Sequence, residues 1–461
     1  MNFSTHCSRV LKTIFSSFFE RICYTVFRHK KGSEQMKKYA AALLAAALIL
    51  SLLTACGKKD KPASDTASEA VTAEQQTEAE EPAYTDPYDA VKTYWSDDQL
   101  TQAWGPDQSV EHLFFHPIIA YPKYAFHESP STQSQRYGLD DWMVTVDEYN
   151  KILQSVYEKG YILVRMEDVW GEYTDESGEQ RMQRNTLMLP EGKKPLIISF
   201  DDVNYYPYML SEGFTSKLIV GDDGEIWALC TDPYSGETFP TKELDATPIL
   251  DQFVYEHPDF SLNGAKAIFS LTGYCGILGY RTQDDRDIAP DSPERAAFDA
   301  YRAAEIEAVK PVIQRLKETG WTFGSHTWGH IRLDSKPLQT VINDTERWAD
   351  EVGSLVGPTQ ILFYPHGGRP DGDDWHSTGE RFRYLQSQGF RVFASVGTNS
   401  FSYIKPDICA VICDRLHPDG TTLRGGKNGK TLEWYMQFYD ARDIIDLDVR
   451  PNLGVTWTPK S

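Results

Sequence analysis

The stretch Leu196–Asp202, LIISFDD, joins an uninterrupted apolar run directly to two carboxylates. Pro195 stands before the run, and a short apolar segment bounded in this way is typical of a strand buried on both faces, as the strands of parallel sheets are. Carboxylates that follow a buried strand escape the cost of burial where the strand ends at a mouth or cleft. The stretch therefore predicts a parallel strand that delivers Asp201 and Asp202 to a functional site.

Strand and helix patterns alternate on both sides of this stretch, from about Val110 onward. Residues 146–160 and 293–320 carry apolar side chains at helical spacing and end in glycine, as helices commonly do. Strands that alternate with helices predict a mostly parallel sheet. The number of units in one large domain favours an α/β fold closed as a (β/α) barrel over an open sheet, and in such barrels the reactive residues follow the strand ends. The other predicted strands include YILVRMEDV (161–169), AKAIFSL (265–271), WTFGS (321–325), ILFYP (361–365), RVFASV (391–396) and DICAVICDRL (407–416).

A second group of polar side chains follows the predicted strand WTFGS. His326 and His330 stand four residues apart, a spacing that places both rings on one face of a helical turn. Two imidazoles and a carboxylate, with open coordination positions, describe a catalytic divalent-metal site. The histidine pair alone is weak evidence, because most such pairs lie on surfaces or cap helices. The acidic pair after LIISF, and His417 after a third predicted strand, favour one shared site at a barrel mouth.

Four motifs occur in order along the chain: SFDD at 199–202, SHTWGH at 325–330, FYPHGG at 363–368 and DRLH at 414–417. In combination they resemble the motifs of polysaccharide deacetylases, the NodB-homology enzymes of carbohydrate esterase family 4. The resemblance covers roughly residues 110–424, and this segment is similar to the extracellular members of the family. It implies a distorted (β/α) barrel and an enzyme that removes N- or O-acetyl groups from amino sugars in polymers.

The resemblance also implies roles for individual residues. Asp201 matches the family's general base, Asp202, His326 and His330 match its metal ligands, and His417 matches its general acid. This donor set suits Zn²⁺, with Co²⁺ or Ni²⁺ as alternatives. The chemistry is coherent, because a divalent metal activates water and polarises the acetyl carbonyl, the base takes a proton and the acid protonates the departing amine.

The chain departs from the family pattern at several positions. Val203 stands where the family usually has glycine, and His366 stands where the third motif usually has tyrosine. We predict that the backbone N–H of His366 serves the oxyanion, and that Arg415 or Arg369 supplies the positive charge beside the base. A hairpin-containing insertion at about residues 204–261, after the first catalytic strand, is predicted to form a lid or a substrate wall.

The N-terminal region predicts export and a lipid anchor. Residues 36–56 begin with basic side chains and continue with an apolar run that is shorter than the ~20 residues of a spanning helix. The run is typical of a signal peptide, and Leu53-Thr-Ala-Cys56 resembles a bacterial lipobox. We therefore predict a signal peptide at 36–55 and lipidation of Cys56, with a plain membrane anchor as the alternative.

Domain boundaries follow from these segments. Residues 1–35 precede the signal, either because Met36 is the true start or because they form a cytoplasmic extension. Residues 56–95 are predicted to be a disordered acidic tether, and residues 96–461 to be a deacetylase-like catalytic domain. The predicted location is extracytoplasmic, with the protein lipid-anchored to the bacterial cell membrane. The net charge of -21 argues against a nucleic-acid partner, and no protein partner is evident.

The predicted function is a metal-dependent hydrolase that removes N-acetyl groups from amino sugars of a cell-wall or extracellular polysaccharide. N-acetylglucosamine in peptidoglycan is the first candidate substrate. Two alternatives stay open: a catalytically inactive glycan-binding lipoprotein of the cell surface, and an O-acyl esterase that uses the same site. The acetylated polysaccharide and the membrane are the only partners that the sequence predicts.

The remaining histidines and cysteines carry weaker signals. His116, in FFHPII, is the one further histidine for which we weigh a place in the site, while structural roles are assigned to His112, His127, His257 and His376. Cys409 and Cys413, four residues apart on one predicted strand, span ~13 Å, which exceeds the ~7 Å limit of a disulfide. A bridge between Cys230 and Cys275 stays open.

Overall fold

The protein is represented by a computed structural model, which describes residues 85–371, 379–424 and 434–450. The predicted signal peptide, Cys56 and His376 therefore lie outside the described residues. In the described part of the chain, no helix is long and apolar enough to cross a membrane.

Sixteen strands lie within the described ranges. They are β1 (Gln102–Trp104), β2 (Glu111–Phe115), β3 (Tyr161–Leu163), β4 (Trp170–Thr174), β5 (Gln180–Arg184), β6 (Leu187–Leu189), β7 (Lys194–Asp201), β8 (Thr215–Val220), β9 (Ile226–Thr231), β10 (Thr238–Thr241), β11 (Ile268–Leu271), β12 (Thr322–Ser325), β13 (Ile361–Phe363), β14 (Val392–Val396), β15 (Ser402–Ile404) and β16 (Val411–Arg415).

Helices connect these strands. The α-helices of the described residues are α1 (Pro87–Lys92), α2 (Gln133–Trp142), α3 (Val146–Glu158), α4 (Met166–Val169), α5 (Ala246–Glu256), α6 (Pro293–Glu318), α7 (Leu338–Trp348), α8 (Ser354–Val356), α9 (Glu380–Ser387), α10 (Gly420–Leu423) and α11 (Ala441–Ile444). Short 3₁₀ turns lie at Asp97–Gln99, Met209–Ser211, Pro258–Phe260 and Pro365–Gly367, and π-helical turns at Tyr124–Glu128 and Ala349–Gly353.

Seven parallel strands form the barrel, in the order β2, β7, β11, β12, β13, β14 and β16. The ring closes just past β16, where Leu416 pairs in parallel with Leu113 of β2. Two backbone hydrogen bonds of 2.9 Å, from Phe114 N–H to Leu416 O and from Leu416 N–H to His112 O, make this closure. The prediction of a distorted (β/α) barrel is confirmed.

The barrel is distorted on the side where it closes. The antiparallel strand β15 pairs with the first half of β16, and the parallel pairing that joins β2 to this side of the barrel is a single bridge from Leu113 to Leu416. Two further predictions were too long: YILVRMEDV contains a three-residue strand followed by α4, and DICAVICDRL is extended only from Val411 to Arg415. An apolar run does not show where a strand ends, because apolar residues beyond the strand can be buried equally well in a turn or a short helix.

Side chains along β7 alternate between two core clusters. Leu196, Ile198 and Phe200 pack against buried residues of α3, α5 and α6, whereas Ile197 packs with side chains of β11, β13, β14 and β16 inside the barrel. Because side chains alternate along a strand, Asp201 shares the inner side with Ile197. Its carboxylate is 2% exposed and thus lies within the upper barrel, deeper than the rim on which we expected it.

The ordered domain begins earlier than predicted. Asp86 caps α1 by accepting a hydrogen bond from Tyr88 N–H and forms an ion pair with Arg315 of α6, while Tyr88 and Val91 are buried in the core. The predicted end of the tether at residue 95 is therefore wrong. Two apolar side chains at i and i+3 are too weak a signal to stand out from acidic surroundings, and only their burial identifies the helix.

The predicted insertion at 204–261 contains two different parts. Strands β8, β9 and β10 form an antiparallel sheet, and the expected hairpin turns at Gly224, whose φ is +74°. Helix α5, in contrast, packs Ile249, Leu250 and Val254 into the core around the barrel, as the helix that follows a barrel strand does. The three-stranded sheet is thus the part of the insertion that does not belong to the alternating strands and helices of the barrel. Its role as a lid or wall stays a prediction.

All four cysteines of the described region, Cys230, Cys275, Cys409 and Cys413, are free. The expectation that Cys409 and Cys413 do not pair is confirmed, and the open Cys230–Cys275 bridge is not formed.

Candidate active site

The strand ends of the barrel bring the predicted residues together at one mouth. Asp202 follows β7, His326 follows β12 and His417 lies two residues past β16. Residues from distant parts of the chain therefore share one site, as the barrel topology predicts.

Asp202, His326 and His330 form a group whose candidate ligand atoms all lie within 4.8 Å of one another. Nε2 of His330 is 3.6 Å from Oδ2 of Asp202. Nδ1 of His326 lies 3.1 Å from the carbonyl oxygen of Phe363, to which it donates as the protonated ring nitrogen, so that Nε2 is left as the ligand atom. Burial lowers the pKa of His326, which favours the neutral imidazole that metals bind. The donor set fits a divalent metal ion.

The histidine pair does not lie on a helical turn, contrary to its predicted geometry. No helix covers residues 326–330, and Thr327 and His330 have φ values of +59° and +51°. Such left-handed residues cost free energy and persist where the surroundings enforce them. The i, i+4 spacing thus brings the two rings together through an irregular loop, in which their centroids are 4.9 Å apart.

Side chains of helix α7 fix the conformation of this loop. Asp344 accepts hydrogen bonds from the backbone N–H groups of Trp328 (2.7 Å) and Gly329 (2.8 Å). The indole N–H of Trp328 donates to Glu351 at 2.9 Å, and the guanidinium of Arg347 lies 3.4 Å from the centroid of the same indole. The buried carboxylate of Asp344 therefore fixes the backbone between the two histidines.

We expect Asp344→Ala to weaken divalent-metal affinity about 10- to 100-fold, the range found when groups that orient metal ligands are removed. It should also lower the free energy of unfolding by about 1–3 kcal/mol, because two buried N–H groups lose their acceptor. Metal titration and chemical denaturation of the same samples measure both effects. Asn343→Ala, at an exposed position of α7, is the control, and equal metal affinity in the two variants would contradict the role of Asp344.

Asp201 is clamped by Arg415. The guanidinium donates to both carboxylate oxygens, at 2.7 and 2.8 Å, and is itself 0% exposed. Burial alone would raise the pKa of Asp201, but the charge and hydrogen bonds of Arg415, together with His326, outweigh it and hold that pKa below its ordinary value. Asp201 is thus ionised in the resting protein, and its two oxygens are fixed in position.

The clamp has its own supports inside the barrel. The Arg415 guanidinium lies between the rings of Phe114 and Phe363, 4.1 and 4.4 Å from their centroids, and donates to Ser199 Oγ at 3.1 Å. Ser199 Oγ also lies 2.9 Å from Nε2 of His112. His112, to which the sequence assigned a structural role, is therefore buried beneath the clamp.

The other residues predicted to support the site lie close by. Of the two arginines considered, Arg415 contacts Asp201, and Arg369 forms an ion pair with Asp414. The ring of His366 packs against His330, with centroids 4.4 Å apart, and His366 has a left-handed backbone with φ +56°. The oxyanion role of its N–H stays a prediction.

His417 is oriented by contacts on three sides. Its Nδ1 lies 3.1 Å from Asp419 Oδ2, its ring stacks on Phe114 at 4.3 Å, and its Nε2 lies 3.0 Å from Nδ1 of His116. The carboxylate of Asp419 fixes Nδ1 as the protonated nitrogen. Asp419 was missed in the sequence because a histidine and an aspartate two residues apart indicate a contact only when the end of the preceding strand is known.

His116 belongs to the site. Its Nδ1 contacts His417, and its Nε2 lies 3.9 Å from Oδ2 of Asp202. Burial, together with the charge of His417, lowers the pKa of His116 to about 4, so its ring is neutral at pH 7. The motif FFHPII placed it near the mouth, and the barrel closure between β2 and the end of β16 brings it between Asp202 and His417.

Tyr206 is a further site residue that sequence reasoning missed. Its hydroxyl donates to Oδ1 of Asp202 at 2.7 Å. Burial, and then the charge of that carboxylate, raise the pKa of the phenol well above its usual value. Tyr274 stacks on Tyr206 with centroids 4.7 Å apart. The rim just past Asp202 thus contains a phenol that orients the carboxylate.

Replacement of Asp419 by asparagine should reduce turnover about 10²-fold while leaving the fold intact, because Asp419 orients His417, the residue predicted to act as the general acid, and acid–base groups contribute within this range. Asparagine can still cap α10 through the bond from Thr422 N–H. Although burial would raise it, the pKa of Asp419 is lowered by His417 and by Thr422 N–H.

The same lowered pKa predicts how stability depends on pH. Asp419 stabilises the folded protein above its unfolded-state pKa, near 4, and this contribution is lost as the pH falls through the lower folded-state value. The stability gap between the native protein and Asp419→Asn should therefore shrink below about pH 4. Denaturation curves at pH 3 and pH 7 test this, and a gap that widens in acid would refute it.

Fold and site together define a barrel enzyme with a two-histidine, one-carboxylate group for a divalent metal beside a clamped carboxylate. Residues 296–378, which include His326, His330 and His366, match the family model described as polysaccharide deacetylase. This segment of the chain is therefore similar to part of a polysaccharide deacetylase domain.

Solved structures similar to this chain were also found. The Streptococcus pyogenes deacetylase PplD, in complex with acetate, is 14% identical with a TM-score of 0.35, covering 68% of this chain and 94% of that one. BC0361, a polysaccharide deacetylase from Bacillus cereus, is 12% identical (TM-score 0.34, 67% and 65% covered), and IcaB from Ammonifex degensii is 16% identical (0.30, 62% and 83%). No curated protein matches the chain with significant sequence similarity.

Proposed function

We propose that the protein is a divalent-metal-dependent deacetylase of N-acetylated amino sugars in a cell-wall or extracellular polysaccharide, with peptidoglycan N-acetylglucosamine as the first candidate. One observation carries the proposal. A metal-binding group, a clamped carboxylate and an oriented imidazole meet at a single barrel mouth, and amide hydrolysis needs a Lewis acid, a base and an acid.

Asp202, His326 and His330 would hold the metal. A bound divalent ion supplies a Lewis acid that polarises the acetyl carbonyl and lowers the pKa of water. Zn²⁺ suits the two imidazoles and the carboxylate best, and Co²⁺ or Ni²⁺ would also bind. Tyr206 supports this site by donating to the second oxygen of Asp202, which leaves Oδ2 directed at the histidines.

Asp201 acts as the general base in this proposal. It accepts a proton from the water that attacks the acetyl carbon, and the two hydrogen bonds from Arg415 hold its carboxylate in position. The C–N bond of the amide then breaks, acetate leaves, and the amine takes a proton from Nε2 of His417. Nε2 carries this proton only in the charged imidazolium form of His417, which the carboxylate of Asp419 at Nδ1 stabilises. His116, in contact with the same Nε2, must give way to the substrate amine.

Lipid anchoring is a second part of the proposal. Cys56, at the end of the predicted signal peptide, would tether the domain to the outer face of the bacterial membrane. Metabolic labelling with a fatty-acid analogue and fractionation of cells tests this. Loss of both label and membrane association in Cys56→Ala is expected, and an unlabelled native protein would overturn the anchor without affecting the enzymatic proposal.

The enzymatic proposal is tested by acetate release from acetylated substrates, with added Zn²⁺, Co²⁺ or Ni²⁺. N-acetylglucosamine oligomers and peptidoglycan should release acetate and free amine in equal amounts, and Asp201→Asn should not. Release from O-acetylated glycans alone would favour the O-acyl esterase, which uses the same residues. Glycan binding without acetate release under any of these metals would favour the non-catalytic surface protein.

A further inference from the structure

Trp142 is a large exposed side chain next to the proposed acid. It is the last residue of α2 and is 55% exposed. Its ring is parallel to the imidazole of His417 to within 6°, with centroids 6.5 Å apart. An exposed tryptophan costs free energy in water, which is recovered when the ring is covered by another apolar surface.

Ion pairs hold the backbone around Trp142 in place. The two residues before it, Asp140 and Asp141, pair with Arg424, and Asp140 also pairs with Arg450 at 2.8 Å. Arg450 is buried and donates to the carbonyl oxygen of Met143, the residue after Trp142, at 2.8 Å. The backbone on both sides of Trp142 is thus fixed to the C-terminal part of the chain, while its ring faces solvent.

The opposite side of the site is also aromatic. Tyr206 bonds to Asp202, and Tyr274 stacks on it. Contacts run from Trp142 through His417 and His116 to Asp202 and Tyr206. The groups proposed for chemistry therefore lie between Trp142 and Tyr206 along this series of contacts. Tyr206 is buried, whereas the ring of Trp142 is exposed to solvent.

We propose that Trp142 forms a stacking subsite for the sugar ring next to the one that is deacetylated, which makes the enzyme selective for oligomers over single sugars. The inference rests on the proposed function, because the substrate must be a glycan. A pyranose ring in a β-linked chain presents a flat face of C–H groups, and an indole fixed beside His417 is placed to cover such a face once the reacting amide is at the mouth. Trp142 would act in binding only, without contacting the reacting atoms.

The test compares wild type, Trp142→Ala and Trp142→Phe on N-acetylglucosamine and on its β-1,4-linked tetramer. Calorimetry measures Kd, and acetate release measures KM and kcat. Trp142→Ala should raise Kd and KM for the tetramer roughly tenfold, the size of one lost aromatic contact, with kcat and monosaccharide binding unchanged. Trp142→Phe should recover most of the affinity. Tyr137→Ala, at a 39% exposed position of the same helix, is the control and should bind as wild type.

The subsite would be overturned by tetramer affinity that is unchanged in Trp142→Ala, or by wild-type protein that binds the tetramer no more tightly than the single sugar. A fall in tetramer affinity that is equalled by Tyr137→Ala would do the same, since it would indicate a general defect of α2. Failure of the proposed function has a different signature, namely wild-type protein that binds the tetramer and releases no acetate.

Discussion

Replacing His330 with alanine is expected to remove the bound divalent ion and to lower deacetylation by about 10³-fold or more, since a metal ion contributes several kcal/mol to stabilising the transition state. With two ligands left, Asp202 and His326, the site loses the third donor that closes the group. Elemental analysis should find about one ion per chain in the native protein and none in the variant. Acetate release on the same samples gives the activity.

Two controls separate ligand loss from a folding defect. His330 has a left-handed backbone, which alanine tolerates poorly and asparagine tolerates better, so His330→Asn should lose most of the activity with less effect on stability. His127→Ala replaces an exposed histidine and should keep both metal and activity. An intact metal content in His330→Ala, with wild-type acetate release, would rule out the proposed ligand set.

Removal of Arg415 should be the most destabilising single change at the site. Arg415→Ala leaves the carboxylate of Asp201 buried without its partner, and breaking a buried ion pair in this way costs about 3–5 kcal/mol. Arg415→Lys should be intermediate, because an ammonium group cannot donate to both oxygens in the same geometry. Chemical denaturation measures the free energy of unfolding, and turnover of the Lys variant, which is the more stable, reports on the base.

A double variant that removes both charges of the Asp201–Arg415 ion pair tests this explanation more sharply. If the cost in Arg415→Ala comes from the stranded charge, the double variant Asp201→Asn/Arg415→Met should recover most of the stability and none of the activity. Arg369→Ala removes a partly exposed ion pair with Asp414 and should cost only about 1 kcal/mol. Equal losses for Arg369→Ala and Arg415→Ala would show that Asp201 does not depend on the clamp.

The barrel was predictable because its signals are local. Short apolar runs separated by amphipathic helices require a parallel sheet, and in a parallel barrel every strand end reaches the same mouth. The acidic pair after LIISF, the histidines after WTFGS and His417 after DICAVICDRL could therefore be grouped before any distance was known. The ends of the strands and the presence of α1 could not be predicted, because both depend on which apolar side chains are buried in the folded core.

The roles of Asp419, Tyr206 and His116 depend on contacts made in the folded chain, although the partners of Asp419 and Tyr206 are only two and four residues away. Asp419 and His116 meet at His417, although His116 lies 301 residues from it, and Tyr206 gains its role from a turn that reverses onto Asp202. The predicted helical turn at His326 and His330 was wrong for the same reason. The loop follows the hydrogen bonds of Asp344 on α7, not the local preference of its own residues.

The amino-acid sequence by itself determined the class of fold, the order of the strands and the side chains available for chemistry, because apolar periodicity and motif order are properties of neighbouring residues. Only the tertiary structure decided how those side chains are used. It selected Arg415 as the partner of Asp201, placed His116 against His417 and left Trp142 exposed beside the site. Burial and charge pairing between distant segments set these choices, and both arise only when the barrel closes.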